Sequence, residues 1–316
     1  MNIEKIFDYA RENNISDIHL LEGEKIYLRK DGEIIEYDNN ITVSKEELLE
    51  ICNGKIEEDF AYTDSKNQRY RVNSFLTRGK LALVIRIINK EPIKLKGKFI
   101  NKLIDEKILS LKDGLVLVTG ITGSGKSTTL ANIIEKLNRN KNLKILTIED
   151  PIEYIFENKK SLIIQRELGK DVESFEKALK SSLRQDPDVI ILGEIRDEES
   201  LYSALKLAET GHLVFSTLHT MNTVESVNRL ISMVRSEKKD FIREQLASVL
   251  RFILSQELHR GKKTVPIFEI LNNTKAVANL ILNNKLNQIP TLIESGIENF
   301  MITKEKYLKN LETESD

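Results

Sequence analysis

The feature that most constrains the fold of this chain is a glycine-rich segment, residues 120–127, between an apolar run and a helical pattern. The segment reads Gly-Ile-Thr-Gly-Ser-Gly-Lys-Ser and matches the pattern G-x-x-x-x-G-K-[ST]. Residues 115–119 before it are apolar enough for a buried strand, and residues 127–138 after it have helical periodicity. A strand, a glycine-rich loop and a helix in this order are typical of an open α/β sheet that binds phosphate.

The residue types in this loop fit the phosphates of a nucleotide. Glycines let the backbone wrap closely around a phosphate with its amides pointing inward, and the helix N-terminus adds positive potential. Lys126 would reach the β- and γ-phosphates, while the hydroxyl of Ser127 would be a ligand of Mg²⁺. We therefore predict that ATP and Mg²⁺ are the cofactors. The predicted nucleotide-binding residues are Gly120, Thr122, Gly123, Ser124, Gly125, Lys126, Ser127 and Thr128.

Beyond residue 99, apolar runs of strand length alternate with helical patterns. This alternation predicts an α/β fold with a largely parallel sheet that helices cover on both faces. The predicted central strands are residues 115–119, 143–148, 189–192, 213–218 and 265–271. The predicted helices are residues 127–138, 174–183, 200–209 and 241–258, the last with its apolar side chains along one face.

The first 88 residues have a different pattern, which indicates a separate domain. A short amphipathic N-terminal helix precedes several strand-like segments, among them residues 25–29, 69–75 and 82–88, and a turn at 30–32. Residues 89–98 are rich in lysine and contain Pro92 and Gly97, so they are the best linker candidate, although a surface loop within one domain is the alternative. The predicted division is a domain at 1–90, a linker at 91–100 and an ATPase domain at 101–316.

Composition excludes several classes of protein. Lys and Arg number 48 against 49 Asp and Glu, so the net charge of −1 gives no overall attraction for nucleic acid, and no nucleic-acid partner is expected. Cys52 is the only cysteine, which excludes an intrachain disulfide and a cysteine-rich zinc site and fits a cytoplasmic location. The longest apolar runs are too short to span a bilayer, so no direct membrane insertion is expected.

A second predicted strand ends in a carboxylate. Residues 189–192 are followed by Gly193 and Glu194, and Glu194 would lie at the carboxyl edge of the sheet, where open α/β sheets place their ligands. We predict that Glu194 holds Mg²⁺, directly or through water. The alternative is that Glu194 only forms an ion pair with Arg196 or Arg184.

Three carboxylates follow the predicted strand at 143–148. Glu149, Asp150 and Glu153 would repel one another unless a cation or a proton intervened. Beside a magnesium-bound nucleotide, one of them can orient and deprotonate the attacking water, and Glu153 is the candidate base. Glu149 and Asp150 would support it. The alternative is a charged helix cap after Pro151.

Two of the four histidines bracket the predicted strand at 213–218. His219, at its carboxyl end, is interpreted either as a sensor of the γ-phosphate or as a passive residue at a subunit interface. His212, at the other end, is expected to support the interface or its own loop.

Four segments together resemble a known superfamily. Leu-Arg-Gln-Asp-Pro-Asp at 183–188, running into Gly-Glu-Ile-Arg-Asp at 193–197, resembles the signature of secretion and pilus motor ATPases. The acidic and two-histidine segments are similar to that superfamily's aspartate and histidine boxes. Ser-Asp-Ile-His-Leu at 16–20 and Arg-Tyr-Arg-Val-Asn at 69–73 resemble motifs of its N-terminal domain. The chain is most similar to the type IV pilus retraction ATPases, the PilT family, because it lacks a long N-terminal extension and a four-cysteine zinc insert.

The resemblance implies a fold, an activity and partners. It implies a RecA-like P-loop ATPase domain with a smaller α+β, PAS-like N-terminal domain. It also implies a homohexamer at the inner face of the cytoplasmic membrane, which couples ATP hydrolysis to an inner-membrane platform protein and removes pilin subunits from the pilus. By motif, Arg71 and Arg86 would deliver positive charge to the nucleotide from the N-terminal domain. The alternative for both arginines is a salt bridge within the strands.

One departure from the family pattern bears on the direction of the motor. The retraction family carries Ala-Ile-Arg-Asn-Leu-Ile, whereas residues 276–281 here read Ala-Val-Ala-Asn-Leu-Ile, without the arginine. A motor for pilus or pseudopilus assembly, protein secretion or DNA uptake therefore stays open. An ATP-switched binding module with little turnover is the alternative from another class.

Overall fold

The computed structural model describes residues 3–13, 15–30, 32–37, 41–66, 68–88, 92, 94–261 and 264–315. These residues form two compact units. One comprises residues up to 91 together with 151–155, and the other comprises residues 92–150 and 156–316. Residue 31 of the predicted turn, residues 89–91 and 93 of the predicted linker region, and the last residue of the chain lie outside the described residues.

The smaller unit is built on an antiparallel sheet. Its described strands have the order β3-β2-β1-β6-β5-β4, and each neighbouring pair is antiparallel. The elements are α1 (Ile3–Glu12), β1 (Asp17–Leu21), β2 (Tyr27–Lys30), β3 (Glu33–Glu36), α2 (Lys45–Cys52), β4 (Asp59–Thr63), β5 (Arg69–Thr77) and β6 (Lys80–Ile87). The predicted strands at 25–29, 69–75 and 82–88 correspond to β2, β5 and β6.

Apolar side chains from both helices and the sheet form the core of this unit. Helix α1 buries Ile6, Phe7 and Ala10, which recur at helical spacing, and Phe7 stacks on Tyr70 of β5 with ring centroids 4.2 Å apart. Cys52 is buried at the end of α2. The unit therefore has its own core, as an α+β domain requires.

The larger unit contains a mainly parallel sheet. Its described strands have the order β13-β12-β7-β11-β10-β8-β9, and β12–β13 is the antiparallel pair. The strands are β7 (Gly114–Thr119), β8 (Lys144–Glu149), β9 (Leu162–Glu167), β10 (Val189–Leu192), β11 (Leu213–Leu218), β12 (Leu250–Arg260) and β13 (Thr264–Asn272). The helices are α3 (Lys98–Glu106), α4 (Lys126–Asn140), α5 (Phe175–Ser182), α6 (Glu198–Glu209), α7 (Thr223–Ser232), α8 (Lys239–Val249), α9 (Lys275–Leu282), α10 (Ile289–Ser295) and α11 (Lys304–Ser315).

Both faces of the larger sheet are covered, as predicted. Along β7, Leu115 and Leu117 belong to one apolar core, whereas Val116 and Val118 belong to another. Because successive side chains of a strand point to opposite faces, this alternation places one core on each side of the sheet. In the described part of the chain no helix has the length and apolar character needed to cross a membrane.

The predicted helix at 241–258 is wrong in its second half. Helix α8 ends at Val249, Leu250 leaves the helical conformation with φ −59° and ψ 137°, and the next residues enter β12. Strand β12 pairs with β7 on one side and with β13 on the other. An apolar run that is buried on both sides suits a central strand as well as a helix, so periodicity alone did not separate the two.

The predicted position of residues 265–271 in the sheet is also wrong. They form β13, which is an edge strand paired antiparallel with β12. Pro266 fits this position, because proline has no N–H to donate and is tolerated where a strand faces no further neighbour. The other edge strand, β9, was not predicted.

Candidate nucleotide-binding site

The glycine-rich loop follows the carboxyl end of β7, which is buried along its whole length. Gly120, Gly123 and Gly125 have φ angles of 151°, 77° and 86°, in the region that disfavours residues with a side chain. A Cβ on Gly120 would lie 2.4 Å from the carbonyl oxygen of Gln256 and 2.5 Å from Oγ of Ser124. Glycine at 120 is therefore required by both conformation and space.

Helix α4 begins directly after this loop. Gly125 is its N-cap residue and provides no side-chain cap, and the N-terminus of the helix adjoins the glycine-rich loop. Lys126 is buried, and its Nζ donates hydrogen bonds to the carbonyl oxygens of Gly120 at 2.7 Å and Ile121 at 3.0 Å. The lysine side chain thus folds back over the loop, with its ammonium group among backbone oxygens. Ser127 and Thr128 are partly exposed beside it.

A residue that sequence reasoning missed supports this loop from β12. Gln256 is 3% exposed, and its Nε2 donates to the carbonyl oxygen of Ser124 at 2.6 Å. Its Oε1 accepts a hydrogen bond of 2.6 Å from the hydroxyl of Thr129 in α4. The signal in the sequence is a glutamine that follows the apolar run 252–254 after one serine, in a segment that periodicity predicts to be a helix.

Glu194 and His219 lie together at the carboxyl edge of the sheet, close to the loop. His219 Nε2 is 3.4 Å from Oε1 of Glu194, and its Nδ1 is 3.4 Å from the hydroxyl of Thr122. Arg196 Nε donates to Oε2 of Glu194 at 2.8 Å, so the ion pair expected under the alternative is present. The hydroxyl of Thr217 in β11 donates to the carbonyl oxygen of Gly193 at 2.6 Å and ties the two strand ends together.

The acidic segment after β8 divides between the two units. Glu149 ends β8, and its Oε1 accepts hydrogen bonds from the hydroxyl of Thr147 at 2.6 Å and from Nε2 of Gln165 at 3.2 Å. Asp150 is exposed. Glu153 belongs to the smaller unit, where its Oε1 lies 4.0 Å from Nη1 of Arg71. The structure therefore brings the predicted base and one predicted arginine together.

Both predicted arginines of the smaller unit form ion pairs with a neighbouring strand. Arg71 on β5 donates from Nε to Asp59 of β4 at 2.9 Å, and Arg86 on β6 donates from Nε to Asp17 of β1 at 2.8 Å. These are the salt bridges expected under the alternative interpretation. The side chain of Arg86 nevertheless remains 64% exposed, so this charge is accessible to a ligand.

His212 has a local role in the loop before β11. Its Nδ1 lies 3.1 Å from the carbonyl oxygen of Leu207 and 3.1 Å from the hydroxyl of Thr210. Both partners belong to the end of α6 and the turn after it, so His212 fixes its own turn.

The chemistry of these groups suits a magnesium-bound nucleotide. In the described ranges no three His, Cys, Asp or Glu side chains gather in a way that could hold a metal ion. Mg²⁺ does not need such a cage, because it keeps several waters and takes most other ligands from the nucleotide phosphates. A hydroxyl at the start of α4, from Ser127, and the carboxylate of Glu194 are suitable ligands from the protein.

Comparison with known proteins gives consistent matches along the chain. The family model described as type II/IV secretion system protein matches residues 2–279. The type IV pilus retraction ATPase PilT of Pseudomonas aeruginosa is 36% identical over 98% of this chain and 94% of its own length. A twitching motility protein of Neisseria gonorrhoeae is 42% identical over 87% of this chain and 75% of its own length.

A solved structure is similar over nearly the whole chain. The crystal structure of the pilus retraction motor PilT with bound ADP superimposes with a TM-score of 0.83 at 35% identity, covering 98% of this chain and 97% of that one. The match confirms the predicted fold class, an α/β RecA-like ATPase domain with a smaller α+β unit at the N-terminus.

Proposed function

The chain belongs to the type II/IV secretion system protein family, and on this premise we propose that it is an ATP-hydrolysing motor that powers retraction of a type IV pilus. The observation that carries the proposal is the placement of Thr122, His219 and Glu194. His219 lies between Thr122 of the glycine-rich loop and Glu194, the carboxylate that follows β10. A site that only stored a nucleotide would not require a strand-end acid in this position.

The proposed roles follow from the positions of the side chains. Lys126 leaves the loop carbonyls and neutralises charge on the terminal phosphates, while the α4 amides orient them. Ser127 and Glu194 would hold Mg²⁺, which would supply positive charge to the phosphate oxygens. Glu153 takes the proton of the attacking water, so that ATP yields ADP and phosphate. Arg71 and Arg86 contribute positive charge to the nucleotide.

The proposed assembly is a homohexameric ring. A nucleotide site at the edge of a sheet is open to water, and a neighbouring subunit can close it and add charge. The proposed location is the cytoplasm, at the inner face of the cytoplasmic membrane. There the ring acts on an inner-membrane platform protein and removes pilin subunits from the pilus base.

The relatives named for pilus retraction and twitching motility support retraction, and a single sequence difference is the ground for testing a motor for assembly or secretion beside it. Helix α9 buries Val277 and Ile281, but Ala278 stands where the retraction family has an arginine. If that arginine is needed for retraction, the same ATPase would serve the opposite direction. Deleting the gene and counting surface pili separates the two, because an excess of pili supports retraction and an absence supports assembly.

Steady-state phosphate release tests the ATPase proposal itself. Purified protein with Mg-ATP should turn over, Lys126→Ala should lose nucleotide binding, and Glu194→Gln should bind nucleotide but release phosphate roughly 100-fold more slowly. Lys136→Ala is the matched control, because Lys136 lies on α4 like Lys126 but pairs with Asp105 at 2.7 Å. This variant should keep full activity. Wild-type protein that binds nucleotide without steady turnover would instead identify an ATP-switched binding module.

A further inference from the structure

Gln256 occupies a buried position between the glycine-rich loop and helix α4. Its amide is held at both ends, by the carbonyl of Ser124 and the hydroxyl of Thr129, each at 2.6 Å. We propose that Gln256 is a positioning residue that fixes the 124–125 peptide in its phosphate-binding orientation. The proposal rests on the proposed nucleotide binding at this loop.

The geometry of the peptide bond links Gln256 to the amide of Gly125. The carbonyl oxygen of Ser124 and the N–H of Gly125 belong to one planar trans peptide, so they point in opposite directions. Because the oxygen is bound to Nε2 of Gln256, the Gly125 N–H is directed away from β12. That amide is one of the donors with which a glycine-rich loop holds a phosphate.

This orientation needs support, because the local sequence does not enforce it. Gly125 has φ 86°, and glycine adopts positive and negative φ almost equally well. The 124–125 peptide could therefore rotate and turn its oxygen, rather than its N–H, toward the phosphate. An oxygen in that position would repel an anion.

The carbonyl of Ser124 decides which end of the glutamine amide faces the loop. A carbonyl oxygen such as that of Ser124 can only accept a hydrogen bond, so its partner must be Nε2. Thr129 is fully buried, and its hydroxyl donates to the remaining Oε1. The carbonyl of Ser124 thus fixes the orientation of the amide, and the hydroxyl of Thr129 satisfies the oxygen that is left.

Two substitutions at position 256 test the proposal. Gln256→Glu keeps the shape but places a second acceptor against the Ser124 carbonyl, and Gln256→Met keeps the length without either hydrogen bond. We expect both variants to raise the dissociation constant for Mg-ADP and the KM for ATP by about ten-fold, the value of one charge-assisted hydrogen bond. The turnover number at saturating ATP should change less than about three-fold, because a lost contact that holds substrate and transition state equally raises the KM and not the barrier from the bound state.

Matched variants separate positioning from general stability. Gln288→Glu makes the same chemical change at an exposed glutamine and should leave the KM unchanged. Thr129→Val should raise the KM in the same direction, and the double variant with Gln256→Met should be no worse than Gln256→Met alone. A role in stability alone would lower the Tm of these variants without raising the KM of the folded protein.

Mg-ADP binding by the wild-type protein separates failure of this inference from failure of the proposed function. If wild-type protein binds no Mg-ADP, the proposed function fails and this inference fails with it. If wild-type protein binds and both variants at 256 bind equally well, the positioning role is overturned while the proposed function stands. Should Gln256→Met not fold, the KM of Thr129→Val decides between the same two results.

Discussion

His219 Nε2 lies 3.4 Å from Oε1 of Glu194, and the opposite ring nitrogen lies 3.4 Å from the hydroxyl of Thr122. A neutral imidazole can donate through only one of these nitrogens, so the proton on the ring selects which neighbour receives a hydrogen bond. The threonine belongs to the glycine-rich loop, and the glutamate follows β10, which ends at Leu192. A nucleotide that displaced Thr122 would therefore change the surroundings of Glu194 through this ring.

Replacing His219 tests whether it senses the nucleotide. We expect His219→Ala to lower steady-state ATP turnover about ten-fold, because Glu194 loses its connection to the loop, while affinity for Mg-ADP changes little. The side chain is 44% exposed, so the free energy of unfolding should change by less than about 0.5 kcal/mol. His212→Ala is the comparison, since that ring contacts its own turn. Equal turnover in wild type and His219→Ala would support the passive interface role.

Arg71 has both a structural partner and a proposed catalytic role, and its partner allows the two to be separated. If Arg71 only holds β4 and β5 together through Asp59, Arg71→Ala and Asp59→Asn should have the same small effect. If Arg71 serves the nucleotide, Arg71→Ala should lower turnover by about 10³-fold, and Asp59→Asn should leave turnover near wild type. Phosphate release at saturating Mg-ATP measures both variants. A loss of activity in both to the same extent would contradict the catalytic role.

The sequence predicted best what depends on neighbours along the chain. Residues 120–127 contain the pattern of the loop in eight consecutive positions, and the apolar run at 115–119 requires burial on both faces. Residues 250–258 were mistaken for a helix because their partners, β7 and β13, lie far away in sequence. Periodicity measures burial, and burial on two sides looks the same for a strand and a helix.

The parts of the candidate site that the sequence did not predict also depend on contacts between residues far apart in the chain. Gln256 contacts the loop across 132 positions of sequence, and the role of such a residue is decided by strand pairing rather than by a local motif. The ion pair between Arg71 and Glu153 joins two predicted site residues, but no pattern in the sequence indicated that they would meet. Long-range contacts of this kind require the topology to be known first.

A buried carboxylate in the smaller unit should make its stability depend on pH. Burial alone raises the pKa of Asp64, but hydrogen bonds from the Gln68 amide, the Arg11 guanidinium and the Tyr70 hydroxyl outweigh it and hold this pKa below its usual value. A depressed carboxyl pKa stabilises the fold above the unfolded-state pKa, near 4. That stabilisation is lost as the pH falls through the folded-state pKa.

Replacing Asp64 should remove this dependence. We expect Asp64→Asn to lower the free energy of unfolding by about 3 kcal/mol at pH 7, because Arg11 loses its buried partner. The difference from wild type should shrink as the pH falls below about 4. Denaturant unfolding at several pH values measures it, with Asp105→Asn, an exposed partner of Lys136, as the control. A difference independent of pH would contradict this account.

Gly120 and Gly169 offer a matched pair for separating crowding from backbone strain. Both have positive φ, 151° and 78°, so alanine is strained at either position. A Cβ at 169 would meet nothing within 4 Å, whereas a Cβ at 120 would lie 2.4 Å from the backbone oxygen of Gln256. Since that oxygen belongs to β12, which pairs with β7, it cannot move aside as a flexible side chain would.

The two alanine variants should therefore differ in both stability and binding. Gly169→Ala should lower the free energy of unfolding by about 1 kcal/mol and leave nucleotide affinity unchanged. Gly120→Ala should cost about 3 kcal/mol, since overpacking adds to strain, and should weaken Mg-ADP binding because the loop must shift to admit the methyl group. Denaturant unfolding and calorimetric titration measure the two effects. Equal stability and equal affinity in both variants would mean that the loop yields to the methyl group without altering its phosphate contacts.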